Sequence, residues 1–122
     1  MRRWAVPAPV VAGDFEVRFI TNPGELYDEG KAMRHCAFDY LEDCRTQCAT
    51  LASIRRLTTG KRVATALYVR GEVGWALKAV KGLANREVDE KVKVAAVAAA
   101  AALATGGATG DLTADDQLWI CD

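Results

Sequence analysis

His35 and Cys36 are adjacent in a stretch, Leu26–Cys44 (LYDEGKAMRHCAFDYLEDC), that holds the chain's only histidine and two of its four cysteines. An imidazole can hold a nearby thiol as thiolate, so the pair invites nucleophilic chemistry. On a helix, though, neighbouring side chains point about 100° apart. There is no second histidine to stand in as the base. The alternative is a small core thiol at Cys36, beside a histidine hydrogen-bonded to a sheet or a helix cap.

A metal centre would draw on His35, Cys36, Cys44 and Cys48. Cys44 and Cys48 share a helical face, but the set lacks the tight CxxC-like turns of structural zinc sites. Their apolar company favours burial, so neither a metal nor another cofactor is expected. A third candidate is Gly82-Leu83-Ala84-Asn85-Arg86 ahead of a helix, where backbone amides with Lys78, Lys81 and Arg86 could cradle an anion. The competing account is a glycine turn with an asparagine cap. Arg55, Arg56, Lys61 and Arg62 form a basic cluster that could touch a nucleic-acid backbone, or merely solvate and protect a sheet edge.

These residues need elements to hold them. The length, 122 residues, suits one domain with one core. Half of the residues are hydrophobic (51%) and a quarter charged (26%), as in ordinary globular proteins. Lysine plus arginine equals aspartate plus glutamate at 16 each, which argues against a whole-surface nucleic-acid footprint. The longest apolar run, Val94–Ala104, falls well short of the ~20 residues of a membrane span. The start, Met1-Arg2-Arg3 followed by Trp4–Ala12, only imitates a signal peptide, because two prolines interrupt it. A cytoplasmic protein with reduced thiols and no membrane contact is expected.

Residues 1–13, with Pro7, Pro9 and Gly13, read as an extended or mobile arm. Asp14–Ile20 alternates as a half-buried strand. Asn22 as cap, Pro23 at the first helical position and Glu25 three residues after the cap open a helix. Leu26, Gly30 and Met33 share one face of it, and Gly30 would admit another backbone. After a break at Arg34–Cys36, a second helix is predicted to about Gln47. Leu51–Leu57, Arg62–Val69 and Glu72–Val80 read as a three-strand meander, turned at Thr58–Lys61 and Arg70-Gly71. A helix from about Glu87 to Ala104 carries the narrow stripe Val88, Val92, Ala95, Ala99 and Leu103, and Gly106-Gly107 ends it. Residues 105–122 form a tail in which Gln117–Cys121 could add a short strand. The predicted fold is α+β: an antiparallel sheet of about four strands, two short N-terminal helices and one alanine-rich C-terminal helix. That last helix would pack closely on the sheet or on a second copy of the chain, giving a homodimer.

In order and spacing, Leu26, Glu29-Gly30, Met33-Arg34-His35-Cys36, Tyr40, Ser53-Ile54-Arg55, Val63–Val80 and Gly82–Arg86 resemble the pattern of PcfJ-like proteins, over roughly residues 20–104. The resemblance implies a setting on plasmids, phages and other mobile elements, and no particular reaction. Family members often carry glutamine three residues before the loop glycine; Ala79 stands there, which counts against any activity that uses it. Within this resemblance, the binding residues expected are His35, Cys36, Tyr40, Arg55, Gly82, Asn85 and Arg86. The leading expectation is a non-catalytic binding module for a host or element-encoded macromolecule, inhibiting a bacterial defence or assisting transfer. The alternatives are an enzyme or nucleotide-binding domain with His35, Tyr40, Arg55 and Asn85 in one pocket, and a nucleic-acid accessory protein using the arginine cluster.

Overall fold

The computed structural model describes residues 4–104. The expected tail over 105–122, its strand at Gln117–Cys121 and the Gly106-Gly107 terminator lie outside the described residues.

Alternation and turn chemistry build a single antiparallel sheet in the order β1-β2-β3-β4-β5, each strand beside its sequence neighbour. The strands are β1 (Val10–Ala12), β2 (Phe15–Phe19), β3 (Ala49–Arg56), β4 (Arg62–Gly71) and β5 (Gly74–Lys81). The helices are α1 (Pro23–Met33), α2 (Leu41–Arg45) and α3 (Glu90–Ala104), with single turns of 3-10 helix at Ala37–Tyr40 and Leu83–Asn85. The fold is α+β with five strands rather than about four.

The additional strand comes from the supposed arm. Val10 pairs with Val17 and Ala12 with Phe15, closing a hairpin in which Gly13 takes a positive φ of 59°. That conformation is inexpensive for glycine and not for a side-chain-bearing residue. Upstream, Trp4 is tied down by its backbone N–H to the Thr21 carbonyl (2.8 Å) and its indole Nε1 to the Ile20 carbonyl (2.6 Å). The β4–β5 turn falls at Glu72-Val73, two residues beyond the expected place, because Gly71 still pairs with Gly74.

The sheet lies between two helical layers. Phe15, Val17, Phe19, Ala52, Ile54, Ala66 and Tyr68 pack against Val92, Ala95, Ala96, Ala99 and Leu103 of α3. Alanines let α3 come close enough for the Tyr68 hydroxyl to donate to the Ala96 carbonyl at 2.7 Å. The opposite face carries Ile20, Leu51 and Leu67 against Leu26, Ala37 and Cys44. Ala49–Ile54 are therefore buried on both sides, as befits a central strand.

Between β2 and β3 the chain runs through both short helices. At the start of α1, Asn22 Oδ1 accepts from the Glu25 N–H at 2.9 Å, and Glu25 Oε1 accepts from the Thr21 N–H at 2.8 Å. Arg34, left-handed at φ 55°, ends α1 and turns the chain back, with its N–H and that of His35 both donating to the Gly30 carbonyl. The second helix is shorter than expected. A 3-10 turn feeds α2, which stops at Arg45, where the Thr46 hydroxyl caps the carbonyls of Glu42 and Asp43 and Gln47 turns left-handed (φ 65°). At the other end, α3 begins at Glu90, with Asp89 Oδ1 accepting from the Val92 N–H at 3.1 Å, so Gly82–Arg86 does not open that helix. Cys36 and Cys44 are free thiols.

Candidate functional site

Two β-bulges aim the site. Regular alternation would send Arg62 to the α3 side along with Ala64 and Ala66. The register instead shifts between Ile54 and Arg55, so that Val63 is an extra residue and Arg62 joins Thr65 on the α1 side. A second shift, between Leu67 and Tyr68, makes Lys78 the extra residue on β5. Trp75 and Leu77 then pack toward α3, while Ala79 and Lys81 turn to the other face, with Lys81 directly across from Thr65.

Over this face α1 lays Glu29, only 1% exposed. A buried carboxylate must have its charge and its lone pairs answered. Arg62 Nε donates to Glu29 Oε1 at 2.9 Å, and the Thr65 hydroxyl donates to Glu29 Oε2. Thr65 has a single proton, so its oxygen can only accept from His35 Nε2, 2.9 Å away. That fixes the imidazole as its Nε2–H tautomer, and Nδ1 accordingly accepts from the Ala37 N–H at 3.3 Å. A continuous hydrogen-bond chain thus runs His35–Thr65–Glu29–Arg62.

His35 and Thr65 end this chain at the wall of a cavity of about 270 Å³, which Cys36, Tyr40, Lys81 and Asn85 also line above an apolar floor that includes Leu51 and Leu67. On the other side of Glu29, Arg18, Ser53, Arg55 and Arg62 line a smaller cavity of about 90 Å³. Arg55 donates through Nε to Ser53 Oγ at 3.1 Å. Burial, then the neighbouring charges of Arg62 and Arg18, lower its pKa.

Four of the binding residues expected from the sequence, His35, Cys36, Tyr40 and Asn85, meet in the larger cavity. Arg55 does not reach it. Gly82, which is buried, and Arg86, which is exposed, do not line it. The amides of Gly82, Asn85 and Arg86 donate to the carbonyls of Arg86, Gly82 and Leu83, so these three do not form an open anion cradle. Ala84 and Asn85 are both left-handed (φ 53° and 63°), a strained pair for residues with side chains. The basic cluster is divided. Arg62 is engaged by Glu29, Arg56 lies 5.3 Å over the Phe15 ring on the α3 side, and Lys61 is exposed in the turn. Among the described residues no three His, Cys, Asp or Glu side chains gather as a metal site would require.

Glu29 and Thr65 were missed as site residues, and Lys81 was named only as a helper of the Gly82–Arg86 anion loop. Glu29 had a readable signal, an acid on the stripe of Leu26, Gly30 and Met33. Thr65 had none, because the bulges decide which way β4 and β5 present their side chains.

An α+β protein with one sheet between two helical layers, and a histidine-walled cavity under the shorter helices, is what the geometry defines. The chain belongs to the PcfJ-like protein family, whose sequence model matches residues 8–96. No curated protein and no solved structure matches it. Ala79, where the resemblance leads one to expect glutamine, lies in the floor of the larger cavity. No helix among the described residues is long and apolar enough to cross a membrane.

Proposed function

We propose that this chain is a non-catalytic, cytoplasmic binding module of a mobile genetic element. It engages a host or element-encoded macromolecule through the surface around the His35 cavity, inhibiting a bacterial defence or assisting transfer. One observation carries the choice of binding over chemistry: both ring nitrogens of His35 are already committed, Nε2 to Thr65 and Nδ1 to the Ala37 amide. An imidazole held at both nitrogens by a threonine and a backbone amide is suited to shaping a wall, and no carboxylate orients it as a general base. The mobile-element setting rests on membership of the family.

The test is affinity capture from host lysate with the wild-type chain, with Cys36→Trp, which fills the cavity mouth, and with Val94→Glu on the far side of the sheet. A specific partner lost with Cys36→Trp and kept with Val94→Glu supports the reading. The reverse pattern overturns it.

An enzyme or nucleotide-binding domain is the second reading, favoured by the chain of bonds that ties buried Glu29 through Thr65 to the cavity wall. Function surviving both His35→Ala and Cys36→Ala, in folded protein, would remove it. A homodimer through α3 is the reading for its exposed Val94 (58%) and Val97 (59%), and sedimentation of wild type against Val97→Glu tests it. The nucleic-acid reading gains nothing from the geometry, since Arg55, Arg56, Lys61 and Arg62 do not present one face.

A further inference from the structure

We propose that the His35 cavity receives a small organic anion, a carboxylate or phosphate ester group on an apolar body, with Lys81 as its counter-charge and Glu87 as the internal anion it displaces. This deepens the reading of the cavity as a binding site and rests on it.

The lining is one-sided. Lys81, Tyr40 and Asn85 are lining residues whose side chains carry donors, and no Asp or Glu among the described residues lines it. The nearest buried acid, Glu29, is shielded behind Thr65, and each of its oxygens already has a donor. Lys81 turns toward the cavity only because of the bulge at Lys78. A carboxylate already rests on it: Glu87 Oε2 lies 2.6 Å from Lys81 Nζ, with Lys93 Nζ at 4.0 Å from the other oxygen. That acid is held below its usual pKa, first by the hydrogen bond from Lys81. A residue of the cavity lining thus carries an ammonium already paired with an anion. Glu87 is 72% exposed, so its exchange for an incoming anion forfeits little. The floor of Ala37, Leu51, Leu67 and Ala79 calls for an apolar body behind the charge. A volume of about 270 Å³, just below the range of about 300–1,000 Å³ for drug-sized ligands, limits that body to one ring or a short chain.

The experiment is an NMR amide titration of the whole chain with benzoate, phenyl phosphate, inorganic phosphate and neutral benzamide. Benzoate or phenyl phosphate should shift Tyr40, Lys81 and Asn85 saturably, and whichever binds more tightly identifies the head group. Lys81→Gln should weaken binding about tenfold or more, and Glu87→Gln should tighten it. Inorganic phosphate alone should not saturate, because it leaves the floor uncovered. Equal binding of benzamide, or indifference to Lys81→Gln, overturns the proposal. The two readings fail separately. If none of the probes binds and Cys36→Trp still abolishes capture of a macromolecule, the anion inference alone is lost. If the probes bind and capture ignores Cys36→Trp, the macromolecular reading is lost instead.

Discussion

Arg62 donates to the buried carboxylate of Glu29 across 33 residues of chain, from a strand whose regular alternation would have aimed it at the opposite helical layer. Removing one partner of such a pair strands a charge, whereas removing both does not. Arg62→Met should lower stability by about 2–3 kcal/mol, at the modest end because the arginine is partly exposed. Adding Glu29→Gln should recover part of that loss, since a neutral amide can still accept from Thr65. Urea denaturation of the two single variants and the double variant checks this, and strictly additive losses would show that the pair is not coupled.

The free thiols should differ sharply in reactivity. Cys44 is buried, and burial pushes its pKa from 9.0 up to about 12. Cys36 is exposed on the cavity rim. Iodoacetamide at mildly alkaline pH should label Cys36 in the native protein and reach Cys44 only after denaturation. Mass spectrometry of the digested protein reads out both sites.

Gly30 is packed against the chain it precedes. A Cβ there would stand 3.1 Å from the His35 carbonyl oxygen and 3.6 Å from Ala37 Cβ. Alanine within a helix normally gains about 1 kcal/mol over glycine. Here that gain should be more than offset, because the crowded neighbour is backbone pinned by the His35–Thr65 bond. Gly30→Ala should come out net destabilising by about 1 kcal/mol in urea titration. A stabilised variant would mean that the segment yields easily.

Acid should weaken the Lys81–Glu87 contact. Glu87 has its folded-state pKa lowered from 4.5, by Lys81 first and then Lys93. A carboxyl depressed in the folded state contributes stability above its unfolded pKa and loses that contribution as pH falls through the folded one. Wild type and Glu87→Gln should therefore differ slightly near pH 7 and converge well below 4.5. Added salt should also narrow the difference at neutral pH, because the pair is exposed. Denaturation midpoints along both axes measure it.

Much of this arrangement was legible in the sequence. Asn22, Pro23 and Glu25 announce the start of α1, Gly30 announces a close approach, and the valine-rich alternation of residues 62–80 announces the meander. Each is a short-range signal that local chemistry decides. Three features were not legible. The Val10–Ala12 strand is too short, and too close behind Pro7 and Pro9, to show a period. The tight Leu83–Asn85 turn, with left-handed Ala84, postpones α3 without any residue that asks for it. The two bulges depend on how neighbouring strands register, and a single strand's pattern does not contain that information. Cys36, Tyr40 and Asn85 could be named as site candidates because they are unusual residues in a recognisable series. Lys81 could be named only for its closeness to the Gly82–Arg86 loop, and register is what turns it to the cavity face.

The neighbour-to-neighbour order of the sheet also bears on how the protein assembles. Three of the four strand pairings join elements separated by tight turns, which close quickly and locally. The exception is β2 with β3, since residues 20–48, carrying α1 and α2, lie between them. Closing a loop of this length carries a larger entropic penalty than any hairpin in the molecule. Glu29 and His35 belong to that loop, while Arg62, Thr65 and Lys81 belong to the hairpins. The cavity wall is therefore completed by the slowest-closing part of the topology, and a folding intermediate holding only β3, β4 and β5 would possess the cations and the threonine without the groups that make them a site.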